Sequence, residues 1–326
     1  MIFLDSSTVR ELLSMETCIR AVEQAFRMHG EGKAPQPGVL AVHSEHGTFH
    51  IKAGTLELGR HYFAAKTNAN FPGNAERYGL PTIQGVIALF DADRGTPLAI
   101  LDSREITGLR TGAATAVAAK YLARADASVA TICGCGVQGR TQLLAVAAVR
   151  ALERVYAVDR TPENAARFAR EMSNELGIEI IVEPDLAVAA RASDICVTCT
   201  PSRKAILGAG DVNAGAFVAA VGADNPDKQE LDPALLARSV VVVDILDQAE
   251  TSGDLHHAIA AGVMSRDAVR AELGAVVAGK RPGRLHEDEI LIFDSTGTAL
   301  QDVAAAAIVY RKAVATGRGQ RIDFGA

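Results

Sequence analysis

No run of apolar residues in the 326-residue chain approaches the ~18 needed to span a bilayer, although 48% of it is hydrophobic. The amino terminus, MIFLDSSTVREL, also lacks the basic start and long apolar stretch of a secretory signal. A cytoplasmic protein with no membrane partner is expected. Cysteine is scarce: Cys18, Cys133, Cys135, Cys196 and Cys199 form an odd set without disulfide-framework spacing. Cys196 and Cys199 look like a CxxC pair, but residues three apart on a strand face opposite sides and cannot share an ion, so buried thiols are the better reading. Clustered Lys and Arg are missing too. With 33 basic and 39 acidic residues interspersed for a net charge of −6, the composition argues against a nucleic-acid surface and for a small-molecule partner. Internal repeats and low-complexity segments are likewise absent, and the length suggests about two domains able to bury a core without staples.

What is present centres on VATICGCGVQG, residues 129–139, where a β-prone run flows into Gly134, Gly136 and Gly139 at GxGxxG spacing. One glycine permits a tight strand-to-helix turn, one lets backbone approach a pyrophosphate, and one lets the following helix pack closely. That helix, expected over 138–152, would aim its unpaired amides and positive dipole end at phosphates. A second run, VYAVD, ends in Asp159, 20 positions after Gly139, where an acid would bond the ribose hydroxyls of an adenosine half. An acid there repels a 2′-phosphate and favours NAD over NADP, whereas Arg160 could hold a 2′-phosphate if Asp159 swung away. The bland alternative is a glycine-rich turn that binds no nucleotide.

Around this motif the chain changes character twice. Residues 1–31 read as two helices, with Ser6 or Ser7 as a cap. From Val39 to Leu101 come the strand-like runs FHIKAG, YFAAKTN, TIQGVIALF and PLAILD, the last two joined by DADRGT. An alanine-rich helix is expected over 104–124. From Val129 strands and helices alternate through VATIC, VYAVD, EIIVE, DICVTCT, FVAAVG, VVVVD and ILIFDS, which implies a parallel sheet covered on both faces. Pro162, Pro184 and Pro233 sit where first-turn prolines start helices, the last after a capping Asp232. A long apolar helix, LQDVAAAAIVYRKAVA, then packs back on the first region.

In open α/β sheets ligands sit beyond the carboxyl ends of the strands, which singles out Thr200, Asp224, Ser295 and Thr296. Asp224 could take and return a proton at a reacting nitrogen or oxygen, or could simply cap the turn ADNP.

With GLPTIQG, ITGLRTGAATAVAAKYLA, GCGVQGR, VGADNPDKQELD and FDSTGTALQDVAAA in order, the whole chain resembles the ornithine cyclodeaminase and mu-crystallin family. The resemblance implies an α/β fold: a Rossmann-type NAD(P)-binding domain over 114–298, plus an α+β substrate-binding and dimerisation domain over 1–113 with a carboxyl-terminal helix, 299–326, packing back. It also implies a homodimer and NAD(P)-linked chemistry at an amino-acid carbon–nitrogen bond. Ornithine-type cyclodeamination leads, with imine reduction or alanine-type dehydrogenation as alternatives and a non-catalytic, crystallin-like nucleotide-binding protein as the rival from another class. Carried over by position, Lys66 and Arg110 grip the substrate carboxylate and Asp224 is the acid/base and amine partner. Lys66 also counts as catalytic and Arg110 as a cofactor contact. Thr82, Val137, Gln138, Asp159, Thr200, Val221, Gly222, Ala223, Lys228 and Ser295 match cofactor-contacting positions, and Thr296 one that lines the substrate. Without the resemblance, Lys66 reads equally as a solvated strand lysine and Arg110 as a helix-surface charge.

One departure stands out. Relatives carry an arginine after a proline upstream of the lysine, where this chain reads APQPGVLAV with Gly38 in its place. Lys52, at a position that is an apolar methionine in many relatives, is the candidate to replace it or to grip a second polar group of an unusual substrate, other than ornithine. His43, His46 and His50 surround that segment, but their spacing suits a helix in a region that reads as strand, so no metal is expected.

Overall fold

In the computed structural model, which describes residues 1–323, the strand-like runs of the first hundred residues pair into one sheet. Its spatial order is Gln320–Arg321, Ile2–Leu4, Pro97–Asp102, Ile83–Asp91, His61–Asn70, Gly47–Glu57 and Gly38–Ser44. Pairing is antiparallel except between Ile2–Leu4 and Pro97–Asp102. The period of two decides which face is buried: His61–Asn70 turns Tyr62, Ala64 and Lys66 inward, so a lysine occupies the third buried position of that row, and Asn68 and Asn70 continue it. The helix Ala299–Thr316 packs on strands Gly47–Glu57 and His61–Asn70 and against the helix Met15–Gly30. Gly54 permits the approach, since a Cβ there would stand 3.3 Å from that of Ala299. At the far edge Gly38–Ser44 is exposed along its whole length.

The chain divides into two compact units: Met1–Arg110 with the segment from Thr298 onward, and Thr111–Gly297. The division falls inside the helix Ser103–Leu122. In the second unit every strand of the eight-stranded sheet is parallel to its neighbours, in the order Ala271–Glu272, Val240–Val243, Leu291–Asp294, Phe217–Ala220, Ile195–Thr198, Val129–Cys133, Arg154–Val158, Glu179–Val182. Near-continuous apolar strands suit a sheet buried on both faces. The chain runs outward from Val129–Cys133, then returns to place Ile195–Thr198 on its other side. A topological switch point therefore opens at the carboxyl ends of these two strands.

Local expectations needed correction at several places. Asp5, not Ser6 or Ser7, caps the first helix, accepting from the Thr8 amide at 2.8 Å. The opening residues Ile2–Leu4 form a strand, because Pro97–Asp102 supplies a ladder that propensity over three residues cannot reveal. The glycine-turn helix is Val137–Ala147 and ends short of 152. Pro184 lies outside its helix, Leu186–Arg191, whose cap is Asp185, whereas Pro162 and Pro233 do open theirs. Residues 324–326, part of the expected carboxyl-terminal segment, lie outside the described residues.

Candidate active site

Within the first unit the inward row of the sheet and the covering helix bring charge together out of water. Lys66 is 2% exposed and donates to Asp302 Oδ1 at 2.9 Å, with Oδ2 at 2.8 Å. Arg110 reaches the same Asp302 Oδ1 through Nε at 3.1 Å and donates from Nη1 to Gln301 Oε1 at 2.9 Å. Lys52 stands directly across the ladder from Lys66, so the pleat puts both side chains on one face, and it too is buried. Gly38 pairs with Ala53 rather than Lys52, one position along, where the pleat faces the other way. Burial brings the Lys66 ammonium down to about 7, the Arg110 and Lys52 charges push in the same direction, and Asp302 opposes them. For Asp302, burial alone would raise the carboxyl, but the Lys66 and Arg110 charges outweigh it and hold it below its ordinary value. Gln301 Nε2 is buried with no hydrogen-bond partner, a spare donor beside the cations. Asp302 and Gln301 were not foreseen, although a charged residue among the alanines of LQDVAAAA was a signal that it had a buried partner. Thr82, half-buried, accepts from the Phe71 amide ahead of strand Ile83–Asp91.

The second unit carries the glycine turn, and its three glycines are required for three different reasons. Gly134 has φ of +104° and lies against the Cys199 carbonyl, where a Cβ would approach to 2.9 Å. Gly139 packs on the Gly134 carbonyl, which a Cβ would meet at 2.1 Å. Gly136 has nothing within 4 Å of a Cβ position and caps Val137–Ala147 without a side-chain bond, so open space borders the helix amides. Val137, first in that helix, is 76% exposed, and the Gln138 side chain lies next to the Thr141 hydroxyl. Asp159 ties two turns together: Oδ2 accepts from the Cys135 amide and Oδ1 from the Thr161 amide, each at 2.8 Å, while Arg160 is exposed beside it. Burial pushes the Cys133, Cys135 and Cys196 thiols well above their ordinary range, Cys135 and Cys196 to about 12, so all three stay protonated.

The remaining strand-end residues of this unit flank the switch point. Thr200 follows Ile195–Thr198. Val221, Gly222 and Ala223 follow Phe217–Ala220 and lead to Asp224, which is exposed and accepts from Lys228 Nζ at 2.8 Å. Ser295 and Thr296 follow Leu291–Asp294: Thr296 donates to Asp244 Oδ1 at 2.8 Å, and Ser295 Oγ is buried without a partner. Among the described residues no group of His, Cys, Asp and Glu is arranged to hold a metal, and His43 lies against Thr48 and His46 against Glu45. No helix of the described residues is long and apolar enough to cross a membrane.

A model of the ornithine cyclodeaminase/mu-crystallin family matches residues 1–317. Three solved structures are similar over nearly the full length. An archaeal alanine dehydrogenase dimer with bound NAD superposes with a TM-score of 0.95 at 40% identity, covering 99% of each chain. The Δ1-pyrroline-2-carboxylate reductase of Thermococcus litoralis, in complex with NADH and L-proline, gives 0.94 at 36%, covering 99% of this chain and 100% of that one. The iminosuccinate reductase of Paracoccus denitrificans, in complex with NAD+, gives 0.91 at 34%, covering 99% of each.

Proposed function

Because this chain belongs to the ornithine cyclodeaminase/mu-crystallin family, we propose that it is an NAD-dependent oxidoreductase that moves hydride to or from the α-carbon of an amino acid and its imine, as a dehydrogenase or imine reductase. The observation that carries this reading is the buried Lys66–Asp302–Arg110 assembly. Two buried cations share a single carboxylate there, and Lys66 is pulled down to about 7 because that carboxylate does not offset burial and the neighbouring positive charges. An incoming α-carboxylate supplies the missing negative charge, with the spare Gln301 amide as a further donor. Held by an ammonium and a guanidinium, the substrate has a fixed α-carbon, which makes hydride transfer an oriented, nearly unimolecular step. Lys52 gives the same face more positive character. That disfavours a substrate with a cationic side chain such as ornithine and favours a small or anionic one. Asp224 takes and returns the proton at the substrate nitrogen, and Lys228 Nζ lies 2.8 Å from its carboxylate. Thr296 lines the substrate.

The residues of the second unit fit a dinucleotide. Open space at Gly136, the uncapped start of an 11-residue helix and the orphaned Ser295 hydroxyl leave donors where a pyrophosphate and a carboxamide need them. When bound, NAD would supply the hydride or accept it. Gly134 and Gly139 shape the turn. Val137, Gln138, Thr200, Val221, Gly222, Ala223 and Lys228 complete the contacts of this unit. Swinging Asp159 aside to admit a 2′-phosphate would break its bonds to the Cys135 and Thr161 amides, which supports NAD over NADP even with Arg160 adjacent. A homodimer fits the fully exposed edge strand Gly38–Ser44, since an unpaired hydrophobic edge invites a partner.

The test is a spectrophotometric panel. NADH and NADPH are each supplied with cyclic α-imino acids, with iminosuccinate, and with pyruvate plus ammonia, and the reverse reactions are run with the amino acids. Loss of NADH absorbance with at least one imine, weaker with NADPH, is the expected result. Proline formation from ornithine without net absorbance change would instead make the chain a cyclodeaminase, and silence across the panel would remove the oxidoreductase reading.

A further inference from the structure

Glu230, which has no chemical role above, accepts four hydrogen bonds through its buried carboxylate. It is fully buried on the short strand Gln229–Leu231. Its Oε1 accepts from the Thr200 amide at 2.6 Å and the Thr200 hydroxyl at 2.7 Å. Its Oε2 accepts from the Thr198 hydroxyl and the Gly222 amide, both at 2.8 Å. One carboxylate thus binds the carboxyl ends of two adjacent parallel strands, Ile195–Thr198 and Phe217–Ala220. Gly222 is a glycine because backbone and carboxylate close over it together: a Cβ there would stand 2.2 Å from the Thr200 carbonyl and 2.6 Å from the Glu230 carboxylate.

Glu230 is itself held from behind. Its own amide and that of Leu231 donate to Asp254 Oδ1 at 2.8 and 2.7 Å, and the amides of Asp254 and Leu255 donate to Asp294 at 3.3 and 2.8 Å. Three buried acids therefore run from the end of strand Leu291–Asp294 to the loop 222–230. That loop is anchored at its start through Gly222 and at its end by Glu230 itself, and it carries Asp224 and Lys228 between the anchors.

We infer that Glu230 is a positioning residue that clamps the loop 222–230, fixing the Asp224 carboxylate and the Thr200 and Gly222 backbone for the reaction. The inference rests on the proton role proposed for Asp224. Its physical basis is that each carboxylate oxygen accepts one backbone N–H. A glutamine has a single carbonyl oxygen, so in either orientation its NH2 faces a backbone donor that cannot rotate away. Glu230→Gln keeps the shape and breaks one anchor.

The experiment compares Glu230→Gln with Ile292→Val, a conservative truncation in the neighbouring buried strand that loses packing without touching the loop. Both should lower the melting temperature. Only Glu230→Gln should lose about 100-fold in kcat per folded enzyme, as expected for a misplaced reacting group. Its KM for the imino acid should stay within about twofold, because the carboxylate grip is elsewhere. Hydrogen exchange at the Thr200 and Gly222 amides should accelerate about tenfold in Glu230→Gln and not in Ile292→Val. A kcat that falls only as far as in Ile292→Val, or a rise in KM with kcat kept, would overturn the clamp. If the wild-type protein turns over nothing in the panel, the functional reading fails on its own. The exchange rates then decide the clamp: unchanged protection at Thr200 and Gly222 overturns it and faster exchange supports it.

Discussion

The two units bury acidic side chains by opposite means. In the first, Asp302 is neutralised by side-chain cations, Lys66 and Arg110, on a strand and a helix remote in sequence. In the second, Glu230, Asp254 and Asp294 are held by backbone amides and hydroxyls. The difference separates what can be exchanged from what cannot. Side-chain cations can turn part of their charge toward an incoming carboxylate and return it afterwards, so the first arrangement suits binding and release. A backbone amide is fixed by its own strand or loop, so the second suits holding geometry constant while chemistry proceeds beside it.

The largest effect should come from breaking the first arrangement. Asp302→Ala removes the carboxylate shared by two buried cations, and stranding buried charge in this way costs about 3–5 kcal/mol. Urea unfolding measures it. A loss no greater than that of an exposed carboxylate would mean that water already compensates Lys66 and Arg110, and the contrast between the units would collapse.

Next in size is Arg110→Lys. The guanidinium reaches Asp302 with Nε and Gln301 with Nη1, a two-pronged arrangement that a single ammonium cannot reproduce. Losing one charge-assisted contact to the substrate carboxylate is worth about 1.5–3 kcal/mol, so KM for the imino acid should rise about 10- to 100-fold. Because this is a binding contact, kcat should change much less. A fall in kcat at constant KM would move Arg110 out of the carboxylate grip and into the reacting geometry.

Legibility in the sequence followed the range of the interactions. The parallel strands were readable because each is a short, nearly all-apolar run, and the glycine turn because three spacings reflect steric needs within a few residues, as at Gly134 and Gly139. Lys66 and Arg110 were named from the family resemblance, and what they touch was not. Asp302 lies 236 positions from Lys66 along the chain, and no periodicity announces a partner at that distance. Glu230 stood in plain view within VGADNPDKQELD, but a glutamate on a three-residue strand reads as exposed until the ends of two other strands are seen to close over it. The strand Ile2–Leu4 was hidden for the same reason, since its identity lies in its partner rather than in its residues.

The smallest effect, and the most discriminating, is on the pH dependence of stability, where the two units should have slopes of opposite sign. Lys66 lies at about 7 in the folded chain against an ordinary 10.5. Between those values the unfolded chain binds a proton that the folded chain has released, so this group makes stability rise with pH from about 7 toward 10.5. Asp254 lies at about 7 against an ordinary 3.8, raised first by burial and then by the charge of Glu230. Between 3.8 and about 7 the folded chain keeps a proton that the unfolded chain has lost, so this group makes stability fall as pH rises. Lys66→Met should remove the rise that begins at about 7 and should also add to the fall in the lower window, because the foremost charge holding Asp302 down against burial is gone, whereas Asp254→Asn should reduce the lower slope alone, with Asp294, also raised by burial, sustaining the remainder. Denaturant titrations across both windows read each slope separately. If Lys66→Met left the lower window unchanged, Asp302 would not depend on the lysine charge, and the first unit would no longer be the place where side-chain cations hold a buried acid.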